Sequence, residues 1–331
     1  MEKNSAYFHA SSYRETGLSH IQRNKPCEDS VRSGVHHGIA AAVLSDGAGS
    51  CSHAADGSRI VVDTAFTLIT EQFDTLYAMT EKEFAAFLLH AVREKLSEAS
   101  ELLQCSYDSL SATMLCVALS EDGRYFYFHV GDGVISACNA KGECRVLSCY
   151  VHRIAANVTT FVNVPNTEYH YGKGKNDFCA FFLMSDGPEE FLLLNQDSLT
   201  ARGELALHIS FFYHNDILLQ ELRELTSMLK ESQMYDDASY ALLADKRYAG
   251  SVSRYLPEYL HEILFGQPAF QKKKKAQISG MFRFLAENSD VPEKQLTKLL
   301  RKHKNRYTRS ALQPFVDSGV IRYHQKHYFF D

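Results

Sequence analysis

A chain of 331 residues with 45% apolar, 12% aromatic and 23% charged residues carries enough apolar material for a sizeable core, which excludes a disordered polypeptide. No run approaches the roughly 18 to 20 apolar residues that span a bilayer, and the start, MEKNSAYFHA, lacks the apolar core of a signal peptide, so the expected location is cytoplasmic with no membrane partner. The net charge of −5 conceals a split: from Phe270 onward 14 Lys and Arg face 5 Asp and Glu, a net of +9, which leaves 21 against 35, a net of −14, before it, so an acidic body and a basic tail read as different modules.

Taken in chain order, Ile39–Ser45 (IAAAVLS) predicts a buried strand. Gly57–Phe73 and Glu81–Leu103 place apolar residues three and four apart (Phe84, Phe87, Leu88, Ala91, Val92), which predicts amphipathic helices. Strands are expected over Ala112–Ser120, Tyr125–Val130, Val134–Cys138 and Cys179–Ser185, with Glu121-Asp122-Gly123 as a hairpin turn. A third helix is expected near Asp216–Lys230, before the strand-like SYALL. Strands in hairpin succession, then two helices, then more strands argue for an α+β fold with antiparallel sheets, not a doubly wound parallel sheet. Beyond Gly266, Pro268 and Lys272–Lys275, helical runs near Ile278–Glu287, Glu293–His303 and Arg309–Ser318 lead past Gly319 into VIRYH and HYFFD. Three helices and a small hairpin is the order of a winged helix.

Four apolar runs adjoin an acidic element: LSDG (Asp46, Gly47), VGDG (Asp132, Gly133), MSDG (Asp186, Gly187) and Asp236-Asp237 before SYALL. Asp-Gly is a common turn, and Asp122-Gly123 is read as one. At Asp46 and Asp186, however, no returning strand follows, so a hairpin does not explain them. Carboxylates at strand ends converge hard oxygen ligands suited to Mg²⁺ or Mn²⁺, and glycine beside them lets a backbone carbonyl approach.

The ordered set GLSHIQRNKPCEDS (Gly17–Ser30), LSDGAGSCSHAADGS (Leu44–Ser58), SATM (Ser111–Met114), VGDG, MSDG and DDASYALL (Asp236–Leu243) resembles the protein phosphatase 2C family, the metal-dependent PPM phosphatases, especially its bacterial branch with a Gly-x-Ser-His segment. The match covers about residues 10–245. It implies a four-layer α-β-β-α sandwich of two antiparallel sheets with two Mn²⁺ or Mg²⁺ ions at one end. Asp46 matches the bridging ligand and Gly47 the residue lending its carbonyl. Asp186 and Asp236 match the other carboxylates of the first ion, Glu28 and Asp29 the pair at the second, and Asp132, with Asp186, a weaker third. Two such ions acidify a shared water and screen the phosphate oxygens under in-line attack. The implied substrate is a phosphoprotein, and the implied layout is a phosphatase domain over 1–250, a linker over 251–271 and a small basic winged-helix-like domain over 272–331.

Departures from the family pattern bear on individual roles. Ala48 stands where some members carry a histidine, which leaves His20 and His53 as candidate general acids. Asn24 stands where members tend to have arginine, so the neighbouring Arg23 is the expected phosphate anchor. Cys51 lacks an activating partner motif for a nucleophile. The eight cysteines form no CxxC pair and the 15 histidines no HExxH, which argues against zinc and for reduced, mostly buried thiols. The cluster Arg301, Lys302, Lys304, Arg306 and Arg309 could meet phosphate backbone, and protein docking is equally compatible. Two rival readings remain: a pseudophosphatase or regulatory module that binds protein or nucleic acid through its tail, and a metal-dependent phosphodiesterase.

Overall fold

The computed structural model describes residues 7–149, 159–213, 215–231, 235–257, 260, 263–264, 272–288, 290–302, 309–317 and 320–330. Lys304 and Arg306 of the tail cluster, His303, Ser318, Gly319 and the Gly266 to Pro268 stretch lie outside the described residues. No described helix is long and apolar enough to cross a membrane.

The described chain builds β1 (Phe8–Glu15), α1 (Leu18–Gln22), β2 (Ser30–His36), β3 (Ile39–Ser45), α2 (Ala54–Glu71), α3 (Phe73–Ala78), α4 (Glu81–Leu103), β4 (Met114–Ser120), β5 (Arg124–Val130), β6 (Val134–Cys138), β7 (Cys144–Cys149) and β8 (His170–Lys175). There follow β9 (Ala180–Met184), α5 (Asp186–Leu192), the short pair β10 (Leu193–Asn195) and β11 (Ser198–Leu199), α6 (Ala201–Ile209), α7 (Asn215–Glu231), β12 (Ala238–Asp245) and α8 (Ala249–Tyr255). Two five-stranded sheets result, in the orders β1-β12-β9-β6-β7 and β2-β3-β4-β5-β8. Every pairing in them is antiparallel.

Period-two alternation decides the layering. Along β3 and β4, Ala41, Val43, Met114, Cys116 and Ala118 turn toward α2 and α4. Their neighbours Ala40, Ala42, Leu44, Leu115 and Val117 turn the other way and meet Ile135, Phe181, Leu183, Ala241 and Leu243 of the second sheet. The opposite face of that sheet, with Phe182, Met184, Tyr240 and Leu242, packs on α6, α7 and α8. Runs such as β4 read as continuously apolar because both faces are buried. The packing order is therefore helices, sheet, sheet, helices.

Local chemistry sets the element ends. A capping box starts α4: the Thr80 hydroxyl accepts from the Glu83 backbone N–H, and the Glu83 carboxylate accepts from Thr80. Gly123, at φ +82°, closes the turn between β4 and β5, as expected. In the C-terminal part, helices Lys272–Glu287, Glu293–Lys302 and Arg309–Asp317 accompany a three-stranded antiparallel sheet of Asp290–Pro292, His327–Phe329 and Arg322–His324, with His327–Phe329 in the centre.

Candidate metal centre

One end of the sandwich gathers the acidic residues. Asp46 leaves β3 and is held by a reciprocal backbone clamp on Thr113: its N–H donates to Thr113 Oγ1 (2.8 Å), and the Thr113 N–H donates to the Asp46 carbonyl (2.8 Å). Ser45 Oγ reinforces this by donating to the Thr113 carbonyl at 2.6 Å. The next residue must be glycine, since a Cβ on Gly47 would lie 2.4 Å from the Ala54 carbonyl at the start of α2.

Glu28 and Asp29 precede β2, and both are buried. Their position depends on Asp237, buried at the threshold of β12. Its carboxylate accepts from the Gly17 N–H (2.7 Å) and from the Glu28 N–H (2.6 Å), which ties the loop around α1 to the other sheet. Arg14 Nη1 donates to the Asp29 carbonyl at 2.6 Å. Buried His20 stands between two acids, with Nδ1 2.9 Å from Asp237 and Nε2 3.4 Å from Glu28. Lys25 Nζ donates to Glu28 Oε1 and to the Gly49 carbonyl, each at 3.1 Å.

From the second sheet, Asp186 opens α5 after β9, and Asp236 accepts through Oδ1 from the Asp237 N–H at 2.9 Å. Asp132 sits in the turn between β5 and β6, where its Oδ2 accepts from Thr159 Oγ1 at 2.6 Å. Beneath it, His129 lies 3.0 Å from the Asp132 carbonyl through Nε2 and 2.7 Å from Ser148 Oγ through Nδ1. Burial pushes this imidazole down to about 4, which keeps it neutral.

These carboxylates feel one another. Burial, then the charges of Asp29 and Asp186, push Asp46 well above the usual carboxylate range. Burial, then Asp132 and Asp236, push Asp186 up to about 8. Burial pushes Asp29 up to about 6 against hydrogen bonds from Asp46 and Ser239 that lower it. Glu189, on α5, is pushed up to about 7 by burial and then by Asp132. No lysine or arginine is among the groups acting most strongly on Asp29, Asp46 or Asp186. Asp29 Oδ2 is buried without a hydrogen-bond partner among the described residues, and Glu28 Oε2 has only the 3.4 Å approach of His20 Nε2. Buried anions of one sign with idle oxygens are the donor set that hard divalent cations neutralise, so these residues fit Mg²⁺ or Mn²⁺.

The sequence-derived acids Glu28, Asp29, Asp46, Asp132, Asp186 and Asp236 thus meet at one end of the two sheets. Arg23 does not join them: it follows α1, is exposed, and its side chain makes no hydrogen bond or ion pair with a described residue. His53 pairs instead with Asp56 at 3.1 Å. Cys51 Sγ donates to the Asp108 carbonyl at 3.3 Å and makes no hydrogen bond to an imidazole among the described residues. Three contributors were not singled out from sequence: Asp237, Thr159 and Glu189. Asp237 alone carried a signal, as the second acid of Asp236-Asp237. A cavity of about 520 Å³ opens beside Asp186, lined by Cys149, Glu189, Glu190 and the stretch from Leu193 to Gln196.

No curated protein matches the sequence. Among solved structures, a bacterial serine phosphatase carrying a point substitution superposes with a TM-score of 0.50 at 14% identity, covering 72% of this chain and 98% of that one. PppA, described as a key regulatory component of T6SS in Pseudomonas aeruginosa, superposes with a TM-score of 0.50 at 18% identity, covering 72% and 97%. At these identities the likeness speaks for the fold. The family model for protein phosphatase 2C matches residues 16–237, about two thirds of the chain, and spans Glu28, Asp29, Asp46, Asp132, Asp186 and Asp236. The chain belongs to the protein phosphatase 2C family, the metal-dependent serine/threonine protein phosphatases.

Proposed function

We propose that this chain hydrolyses phosphoserine and phosphothreonine in a phosphoprotein, using two Mn²⁺ or Mg²⁺ ions and a weaker third. The observation that carries the reading is the group of Asp29, Asp46 and Asp186, buried together with raised proton affinity and no basic neighbour acting strongly on them. Asp46 would serve both ions and Gly47 would lend its carbonyl, with Asp186 and Asp236 at the first ion, Glu28 and Asp29 at the second, and Asp132 with Asp186 at the third. Bound divalent ions there would acidify water and screen the phosphate oxygens.

The chain's own groups do the positioning. Thr113 fixes the backbone of Asp46, Asp237 holds Glu28 against the far sheet, and Thr159 orients Asp132. His20, buried between Glu28 and Asp237, is placed to hold those acids; this supports a positioning role over proton delivery to a leaving group. Lys25 is engaged with Glu28, so the exposed guanidinium of Arg23 is the better candidate to grip a substrate phosphate. The order helix, strand, helix, helix, hairpin over 272–329 supports a winged-helix-like unit that would dock a protein or nucleic-acid partner. A cytoplasmic location completes the proposal.

Purified protein is expected to hydrolyse an aryl phosphate and phosphothreonine peptides with Mn²⁺ and to stop on adding EDTA. Folded protein without Mn²⁺-dependent turnover on either substrate would sink the reading.

A further inference from the structure

Far from the acidic end, the other tip of β6 brings together three groups that the sequence keeps apart. Cys138 ends β6, Cys144 begins β7 as its direct cross-strand partner, and His208 lies near the end of α6. Their ligand atoms all lie within 4.8 Å of one another. Cys144 Sγ is 3.7 Å from His208 Nε2. The Gly142 carbonyl joins them, 2.9 Å from His208 Nε2 and 3.9 Å from Cys144 Sγ. Gly142 takes φ +78°, and this left-handed turn delivers its carbonyl to the imidazole.

We propose that Cys138, Cys144 and His208, with the Gly142 carbonyl as fourth ligand, form a structural Zn²⁺ site. Bonds of about 2.3 Å to sulfur and about 2.0 Å to nitrogen in a tetrahedron require edges of roughly 3.8 Å between sulfurs and roughly 3.5 Å between sulfur and nitrogen. The Cys144 Sγ to His208 Nε2 separation of 3.7 Å needs a shift of only about 0.2 Å to meet the sulfur–nitrogen edge. Two thiolates with an imidazole form a soft donor set, which selects zinc over the hard ions suited to the carboxylate end. Cys138 and His208 are buried and Cys144 is half-buried, which leaves a route for entry. His208 Nδ1 is buried with no hydrogen-bond partner among the described residues, so the ring's polar contacts are those of Nε2 with the Gly142 carbonyl and Cys144 Sγ.

Binding balances simply. Each thiol loses its proton to solvent as its sulfur bonds to the cation, and the imidazole proton moves from Nε2 to Nδ1 to free the Nε2 lone pair. Two protons leave and nothing is oxidised. The ion would pin edge strand β7 and its turn to α6. Because β6 spans about 13 Å from Val134 to Cys138 and Asp132 lies beyond its far end, the gain is in stability and not in turnover. The sequence spacing hid the site: one ligand pair lies across a hairpin, and the histidine follows Cys144 by 64 residues.

The test uses full-length protein, reduced and stripped of metal, titrated with Co²⁺ as probe. A thiolate-to-cobalt charge-transfer band is expected to saturate at one equivalent and to vanish on adding Zn²⁺; carboxylate-bound cobalt gives no such band. Cys138→Ser and Cys144→Ser should each weaken Co²⁺ binding at this site by more than about 100-fold, beyond the loss typical of outer-shell changes. Zn²⁺ should also shield both cysteines of the unaltered protein from alkylation, read by peptide mass spectrometry, which needs no variant to fold. A missing band, a band that survives both substitutions, or a Cys138–Cys144 disulfide that forms without metal uptake overturns the proposal.

Discussion

The two sheets are covered in different ways. The outer face of the β2-β3-β4-β5-β8 sheet is closed by one local segment, α2 to α4, whose Phe84 meets Phe126 edge to face and Phe128 at a tilt. The outer face of its partner is closed from distant parts of the chain: α6, α7 and α8, then the helix Lys272–Glu287 and the small sheet after it. Phe282 there meets Phe212, Phe315 and Phe330 in one cluster, and Phe330 is fully buried. Lys246, just after β12, is buried and donates through Nζ to the Phe330 carbonyl at 2.6 Å. The basic charge of the C-terminal part sets it apart in composition, yet its apolar face is continuous with the core of the second sheet. Since Asp186 and Asp236 hang from that sheet, the C-terminal packing lies behind two of the six acids of the centre.

The largest expected effect tests that continuity. Phe282→Ala and Phe84→Ala should each cost about 3–5 kcal/mol in denaturant unfolding, because both rings are fully buried. A near-zero change for Phe282→Ala alone would separate the C-terminal part from the core and break the comparison.

A second expectation concerns charge at the shared end. In metal-free protein, Asp186 is raised from an ordinary carboxylate value to about 8, so the native state binds its proton more tightly than the unfolded chain. Its contribution to stability is then greatest in acid and falls as pH rises from about 4 through 8. Saturating Mn²⁺ should flatten this fall. A thermal midpoint that rises over the same range without metal would contradict it.

A smaller effect belongs to Lys246, which burial pushes down to about 8. The native state releases this proton before the unfolded chain does, so its contribution to stability grows as pH rises from about 8 to 10.5. Lys246→Met should remove that slope. Its loss of the Phe330 hydrogen bond is worth about 1–3 kcal/mol, offset in part by relief of the buried charge.

How far the sequence discloses the molecule follows the same division. The spans of β3, β6 and α4 coincide with their apolar runs because those residues are buried and their ends carry clear signals, such as the Thr80 cap. β1 (FHASSYRE) and β8 (HYGKGK) escaped notice because they are sheet edges, where serine, histidine, glycine and lysine replace the apolar run. The acids Asp46, Asp132 and Asp186 were legible since each follows a strand and precedes glycine. Asp237 was legible only as the second acid of Asp236-Asp237; its role was not, because its carboxylate serves backbone groups of Gly17 and Glu28, 220 and 209 residues away. Contacts that far apart leave no local pattern.

The most direct test of the central claim is Mn²⁺-dependent hydrolysis of a phosphothreonine peptide by Asp46→Asn and Asp186→Asn, one from each sheet, beside the unaltered chain. Each should lose at least about 100-fold in turnover, since each removes charge that holds the divalent ions, with the fold retained by circular dichroism. Undiminished turnover in either variant would contradict a metal centre built jointly by the two sheets.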